Sequence, residues 1–148
     1  MRLGLLTRNV TIESAETLRH LFRRHDIDLD AFDHLACLSL REDKTPHFHQ
    51  PRERLGIHPT RCYACGDEYS DYLAALGAGI YPFIVAYGAE DRQRLTGAYG
   101  VPDAFIHASP AEFADSLRHA LDLDADGGQD ATPAVATIDT TPAAGSAP

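Results

Sequence analysis

Short apolar runs alternate with stretches of helical period over the first 121 residues. Arg2 to Leu6 is an apolar run ending in Thr7-Arg8-Asn9, the pattern of a buried strand that opens into a polar loop. Ile12, Ala15, Leu18, Leu21 and Phe22 then recur at helical spacing, which predicts a helix from Ile12 to His25. A polar, irregular stretch from Asp26 to Asp33 leads into a second buried run, Leu35 to Leu40. Arg41 to His49 reads as loop with Pro46 as breaker, followed by a short helix from Pro51 to Leu55 that Gly56 and Pro59 close. Arg61 to Cys65 predicts a third strand, Asp71 to Leu76 a helix that runs out at Gly77 and Gly79, and Tyr81 to Tyr87 a fourth strand. Glu90 to Ala98 has helical period, and Ala104 to His107 forms a last short strand. Ser109, Pro110 and Glu112 supply the N-cap, first-turn proline and third-position acid of a helix that ends near Leu121.

Strands that alternate with helices imply right-handed crossovers and a parallel, three-layer, Rossmann-like α/β sheet. In such sheets ligands bind outside the carboxyl ends of the strands. With 148 residues there is room for one domain with a real core, placed at residues 1–123. From Asp124 to Pro148 the chain turns to Ala, Thr, Asp, Gly and Pro without periodicity, the composition of a disordered C-terminal tail.

Composition narrows the functional classes. A net charge of −9 argues against a general nucleic-acid binder, which carries a basic face. No segment has the length and apolarity of a membrane span or a signal peptide. Three cysteines make no disulfide framework, so the expectation is a cytoplasmic protein. Of 13 basic residues only Lys44 is a lysine, and lysine differs from arginine at phosphate sites.

Three polar clusters fall at predicted strand ends: Thr7-Arg8-Asn9, then Lys44, then Asp67 with Asp71. In a parallel sheet these ends share one edge, so a hydroxyl with free backbone amides, an ammonium and two carboxylates converge. That set suits a phosphate monoester beside Mg²⁺, the acids holding the metal while the other groups neutralise phosphoryl oxygens. Taken singly, each has a plainer alternative: Thr7 as a cap or turn hydroxyl, as well supported as phosphate binding, and Lys44 as a solvated loop charge. Asp67 with Asp71 would be N-cap and first-turn acid of the helix that follows, although capping does not call for the Gly-Asp and the metal role is favoured.

The motifs that carry these residues resemble those of the haloacid dehalogenase-like (HAD) hydrolases, of the phosphoglycolate-phosphatase type. Leu3 to Asn9, LGLLTRN, resembles the family's second motif, an apolar strand ending in a phosphate-binding Thr or Ser. Asp43 to Gln50, DKTPHFHQ, resembles its third, a Lys followed by Pro, and YACGDEYSDYLAALGAG resembles its fourth, in which a Gly-Asp and a second Asp hold Mg²⁺. SPAEF, Ser109 to Phe113, matches the usual ending, so the resemblance runs over residues 2 to 121. It implies a Mg²⁺-dependent phosphatase for a small phosphorylated metabolite that works through an aspartyl-phosphate. Asp67 and Asp71 would hold the metal, Thr7, Arg8 and Asn9 would bind phosphoryl oxygens, and Lys44 would offset the developing charge.

Two departures stand out. Thr45 separates Lys44 from Pro46, and the span from the Lys to the Gly-Asp is slightly short. The family's first motif, an apolar strand followed by Asp-x-Asp with the nucleophile, is not seen. Asp26-Ile27-Asp28-Leu29-Asp30 follows a helix end, and Asp122 to Gly127 continues the last helix without a strand before it. Without the first strand, the strands carrying Thr7 and Asp67 are expected to leave two unpaired edges about 10 Å apart, two strand spacings. Such edges invite self-association or a complementing chain. A non-catalytic remnant that binds a partner there is therefore a second hypothesis. A third comes from Cys62-Tyr63-Ala64-Cys65, a C-x-x-C with His47 and His49 upstream, which would be a zinc or redox module; both cysteines are expected in a strand, facing opposite sides.

Overall fold

The apolar runs become short parallel strands, and the computed structural model describes residues 1–8 and 14–123. Strands β1 (Gly4–Thr7), β2 (His34–Cys37), β3 (Tyr63–Gly66), β4 (Tyr81–Val85) and β5 (Ile106–His107) alternate with helices α1 (Ser14–Arg23), α2 (Thr45–Arg54), α3 (Tyr69–Gly77) and α4 (Pro110–Ala120). The result is the mixed α/β fold expected from the alternation, with every ladder parallel. Asn9, the expected start of the first helix at Ile12 and the expected tail from Asp124 lie outside the described residues.

The strands form two sheets. β1 pairs with β2, and β3, β4 and β5 make a separate sheet in that order. Among the described residues β1 and β3 each keep one edge without a ladder partner. The division falls between the strands that carry Thr7 and Asp67, where the family's first strand was expected.

Packing is uneven between the two. Pro82, Phe83 and Ile84 of β4 are buried in succession, as in a strand covered on both faces. Ile84, Leu95, Val101 and Ile106 form one core cluster with Tyr69, Tyr72 and Tyr99 packed against it. Ala64, Ala75, Ala78 and Ile80 form another, and Phe48 of α2 packs on it. Helix α2 follows β2 in the chain yet docks on β3 and α3, so the helical layer bridges the break in the sheet. On the β1–β2 side the buried apolar residues among those described are Leu18 and Leu38.

Several boundaries differ from the sequence expectation. Helix α2 starts at Thr45, so Pro46 is not a breaker; it occupies the first turn, where its missing N–H leaves nothing unpaired. Asp43 Oδ1 accepts from the Thr45 amide at 2.9 Å and sets that start. Pro51 lies inside α2 rather than at its beginning, and Phe48's docking holds the helix across it. The stretch expected as a helix from Glu90 closes as a π-helical turn at Arg94–Ala98, and Asp103–Phe105 is a 3₁₀ turn ahead of the two-residue β5. Cys62 precedes β3, at the end of the 3₁₀ turn Pro59–Arg61, so only Cys65 of the pair is in a strand.

Asp26 and Asp122, the first residues of the two acid-alternating stretches, close helices α1 and α4. Asp26 and Asp122 have φ of +56° and +55°, a region that Asp tolerates better than most residues. The Ile27 amide donates to the Phe22 carbonyl and the Leu123 amide to the Arg118 carbonyl, the six-to-one bonds of a Schellman closure.

Candidate functional site

The carboxyl ends of β1 and β3 and the N-termini of α2 and α3 bring five charged side chains to one rim. Arg8 follows β1, Lys44 precedes the first turn of α2, and Asp67, Glu68 and Asp71 occupy the β3–α3 turn and the first turn of α3. Two cations thus face three carboxylates.

Lys44 is the centre of the network. Only 7 % of its surface is accessible, and its ammonium donates to Asp71 Oδ1 at 2.5 Å and to Glu68 Oε2 at 3.1 Å. Asp71, also buried, is fixed at its other oxygen, where Oδ2 accepts from the Glu68 amide at 3.2 Å. The first-turn role and the charge-pairing role of Asp71 are therefore filled by the same carboxylate. Burying an ammonium is tolerable only with such partners, because an unpaired charge loses its hydration without return.

Gly66 and Gly88 explain why these acids stand behind glycines. A Cβ on Gly66 would collide with the Asp71 side chain, and one on Gly88 would collide with Asp67. Asp67 turns toward that second glycine, its Oδ2 accepting from the Ala89 amide at 2.8 Å. The acids of the Gly-Asp-x-x-x-Asp run are thus held at different places, Asp67 against the loop after β4 and Asp71 against Lys44.

Glu68 and Ser70 were not singled out in the sequence, and both belong to the rim. Glu68 Oε2 accepts from Ser70 Oγ at 2.8 Å, from Lys44 Nζ at 3.1 Å and from Arg8 Nη1 at 3.4 Å. The Ser70 hydroxyl, then the Lys44 ammonium and the Arg8 guanidinium, hold the Glu68 carboxyl below the usual range against the opposing effect of partial burial. Arg8 also reaches Ser70 Oγ at 3.4 Å and the Glu42 carbonyl at 3.2 Å, while its Nε is buried without a partner. The signal for both residues was their position at the mouth of a helix that directly follows a strand. Thr7 ends β1, its carbonyl accepting from the Leu38 amide at 2.7 Å.

The sequence model of the HAD-hydrolase-like family matches residues 43–120, just over half of the 148-residue chain. The chain belongs to that family. The matched segment of this HAD-like domain contains Lys44, Asp67, Glu68, Ser70 and Asp71, and begins after Thr7 and Arg8. No curated protein and no solved structure matches the chain. HAD hydrolases are in general Mg²⁺-dependent and act on small phosphorylated substrates.

Mg²⁺ takes one or two carboxylates and completes its six positions with water and phosphate. Asp71 has both oxygens engaged by Lys44 and the Glu68 amide, whereas Asp67 commits only Oδ2. No group of three or more His, Cys, Asp or Glu among the described residues is placed to hold a metal ion. Of the two acids, Asp67 alone keeps an oxygen, Oδ1, without a partner among the contacts described. Cys37, Cys62 and Cys65 are free thiols. Among the described residues no helix is long and apolar enough to cross a membrane.

Proposed function

We propose that this HAD-like hydrolase domain handles phosphate monoesters, in the manner of the phosphoglycolate-phosphatase type, with a small phosphorylated metabolite as substrate. The observation that carries the reading is the buried Lys44 ammonium, fixed by Asp71 at the carboxyl edge of parallel strands. A rigid, desolvated ammonium stabilises charge that develops on phosphoryl oxygens far better than a solvated one. Arg8 binds a second phosphoryl oxygen, with Thr7 supplying a hydroxyl, while Asn9 is carried over from the motif alone. Asp71 positions Lys44. Asp67 would hold Mg²⁺, which when bound would add charge neutralisation at the phosphoryl oxygens. In this reading residues 1–123 form a partial hydrolase core.

The resemblance also calls for a carboxylate nucleophile on a strand between β1 and β3. Every acid at the rim is engaged as described, and none follows an apolar strand in the required Asp-x-Asp. A second reading therefore rests on the unpaired edges of β1 and β3: the domain binds phosphate and turns over only when a further strand bearing that carboxylate pairs there.

The test is Mg²⁺-dependent phosphate release from p-nitrophenyl phosphate by this chain, beside Asp67→Asn and Lys44→Ala. Release that is lost in both variants supports the hydrolase reading. No release from a folded chain that still binds inorganic phosphate supports the second reading, and neither release nor binding sinks both.

A further inference from the structure

Glu68 is held differently from the other acids of the rim. Asp67 and Asp71 each meet a backbone amide and little else beyond Lys44, whereas the Glu68 carboxylate, besides closing a capping box with the Asp71 amide at the start of α3, meets three side chains. All three of those contacts run to one oxygen, Oε2, from donors on three separate parts of the chain: Arg8 after β1, Lys44 ahead of α2, and Ser70 in the first turn of α3. Its side chain is 41 % exposed, so solvent can receive it if it leaves. Lys44 would stay in place, because Asp71 holds it at 2.5 Å with both side chains nearly buried. An ammonium has three protons, and Asp71 and Glu68 use two of them. Arg8 Nε is a further donor, buried and unpartnered, that a single carboxylate oxygen does not satisfy.

A guanidinium, an ammonium and a hydroxyl that converge on one anionic oxygen, with donors to spare, describe a cradle for an anion larger than a carboxylate. We infer that Glu68 is a resident competitor: through Oε2 it fills the cradle that Arg8, Lys44 and Ser70 form for a phosphoryl oxygen, and it must swing out before phosphate binds. This rests on the phosphate-monoester reading and adds to it a self-occlusion that sets how tightly the site takes its ligand. The site is then weakened by its own side chain, and a short side-chain rotation opens it.

The experiment is calorimetric titration of inorganic phosphate into the full chain, Glu68→Gln and Glu68→Asp, with folding checked by circular dichroism. Glu68→Asp keeps the negative charge at the start of α3 and withdraws the carboxylate by one methylene, so it separates occupancy from simple repulsion. Both variants are expected to bind phosphate about tenfold or more tightly than the parent chain, the range of a charge-assisted hydrogen bond no longer displaced. Equal or weaker binding in the variants overturns the inference and leaves the phosphate reading standing. Tightening in Glu68→Gln alone also overturns it, since the effect is then one of charge rather than occupancy. No binding by any of the three folded chains, nor by a Glu68→Ala chain, removes the phosphate reading and the inference together.

Discussion

Lys44→Met removes the ammonium and keeps most of the stem, leaving Asp71 without its cation. The two side chains are 9 % and 12 % accessible, so this is a buried pair, for which loss of one partner costs about 3–5 kcal/mol. Two details place the expectation at the lower end. Asp71 Oδ2 still accepts from the Glu68 amide, and Glu68, at 41 % exposure, recovers hydration when Lys44 goes. A loss of about 3 kcal/mol is therefore expected, read as a lower urea midpoint at unchanged slope. Asp71→Asn keeps the acceptor for the Glu68 amide and removes the charge. The double variant Lys44→Met/Asp71→Asn should lose less than the sum of the singles by about 2 kcal/mol, within the range for contacting residues. A single-variant cost under about 1 kcal/mol would refute the buried-pair reasoning, and so would strict additivity.

Gly66→Ala sets a Cβ into the Asp71 side chain, so it should destabilise by about 1–3 kcal/mol and lower phosphate binding by displacing Lys44's anchor; thermal melts and phosphate titration of the same variant check both. The His34 imidazole is held below its ordinary value of 6.5, first by burial and then by the positive charge of Arg54 and His47. The unfolded chain therefore takes up this proton first, and stability falls as the pH drops through and below 6.5. Melts between pH 7 and pH 5 should show this decline, and His34→Asn should flatten it; an unchanged slope in the variant would discount His34 as the source.

How much of this was legible in the sequence depended on whether the local signal was read with tertiary neighbours in mind. The order of strands and helices followed from apolar runs alone, and Ser109 caps α4 as its pattern indicated, accepting from the Glu112 amide at 3.2 Å. Thr45-Pro46 carries the same first-turn proline signal as Ser109-Pro110. Pro46 reads as a breaker only when the aspartate two residues before Thr45 is left out. Length was harder: α2 runs through Pro51 because Phe48 packs on a core assembled from β3 and α3, more than a dozen residues downstream. At the site, the placement of Lys44 near Asp71 was legible from strand-end geometry. The separation of Asp67 from Asp71 was not, because it depends on Gly88, twenty-odd residues away and on a different strand's loop. Glu68 and Ser70 were hidden by their neighbours: within a recognisable Gly-Asp-x-x-x-Asp run, the intervening positions look like spacers.

The break in the sheet sets how the two parts open. Among the described residues the β1–β2 part has Leu18 and Leu38 buried, against two packed clusters on the β3–β4–β5 side, so its amides should exchange with solvent through partial opening at a lower free energy. Arg8 belongs to the weaker part, while Glu68, Ser70 and Asp71 belong to the stronger. Under the proposed phosphate reading, an anion gripped by Arg8 and Lys44 together would be a clasp between the two parts. Part of its binding energy closes the joint, and ligand occupancy should be visible as slowed exchange at β1 and β2 before it is visible anywhere else.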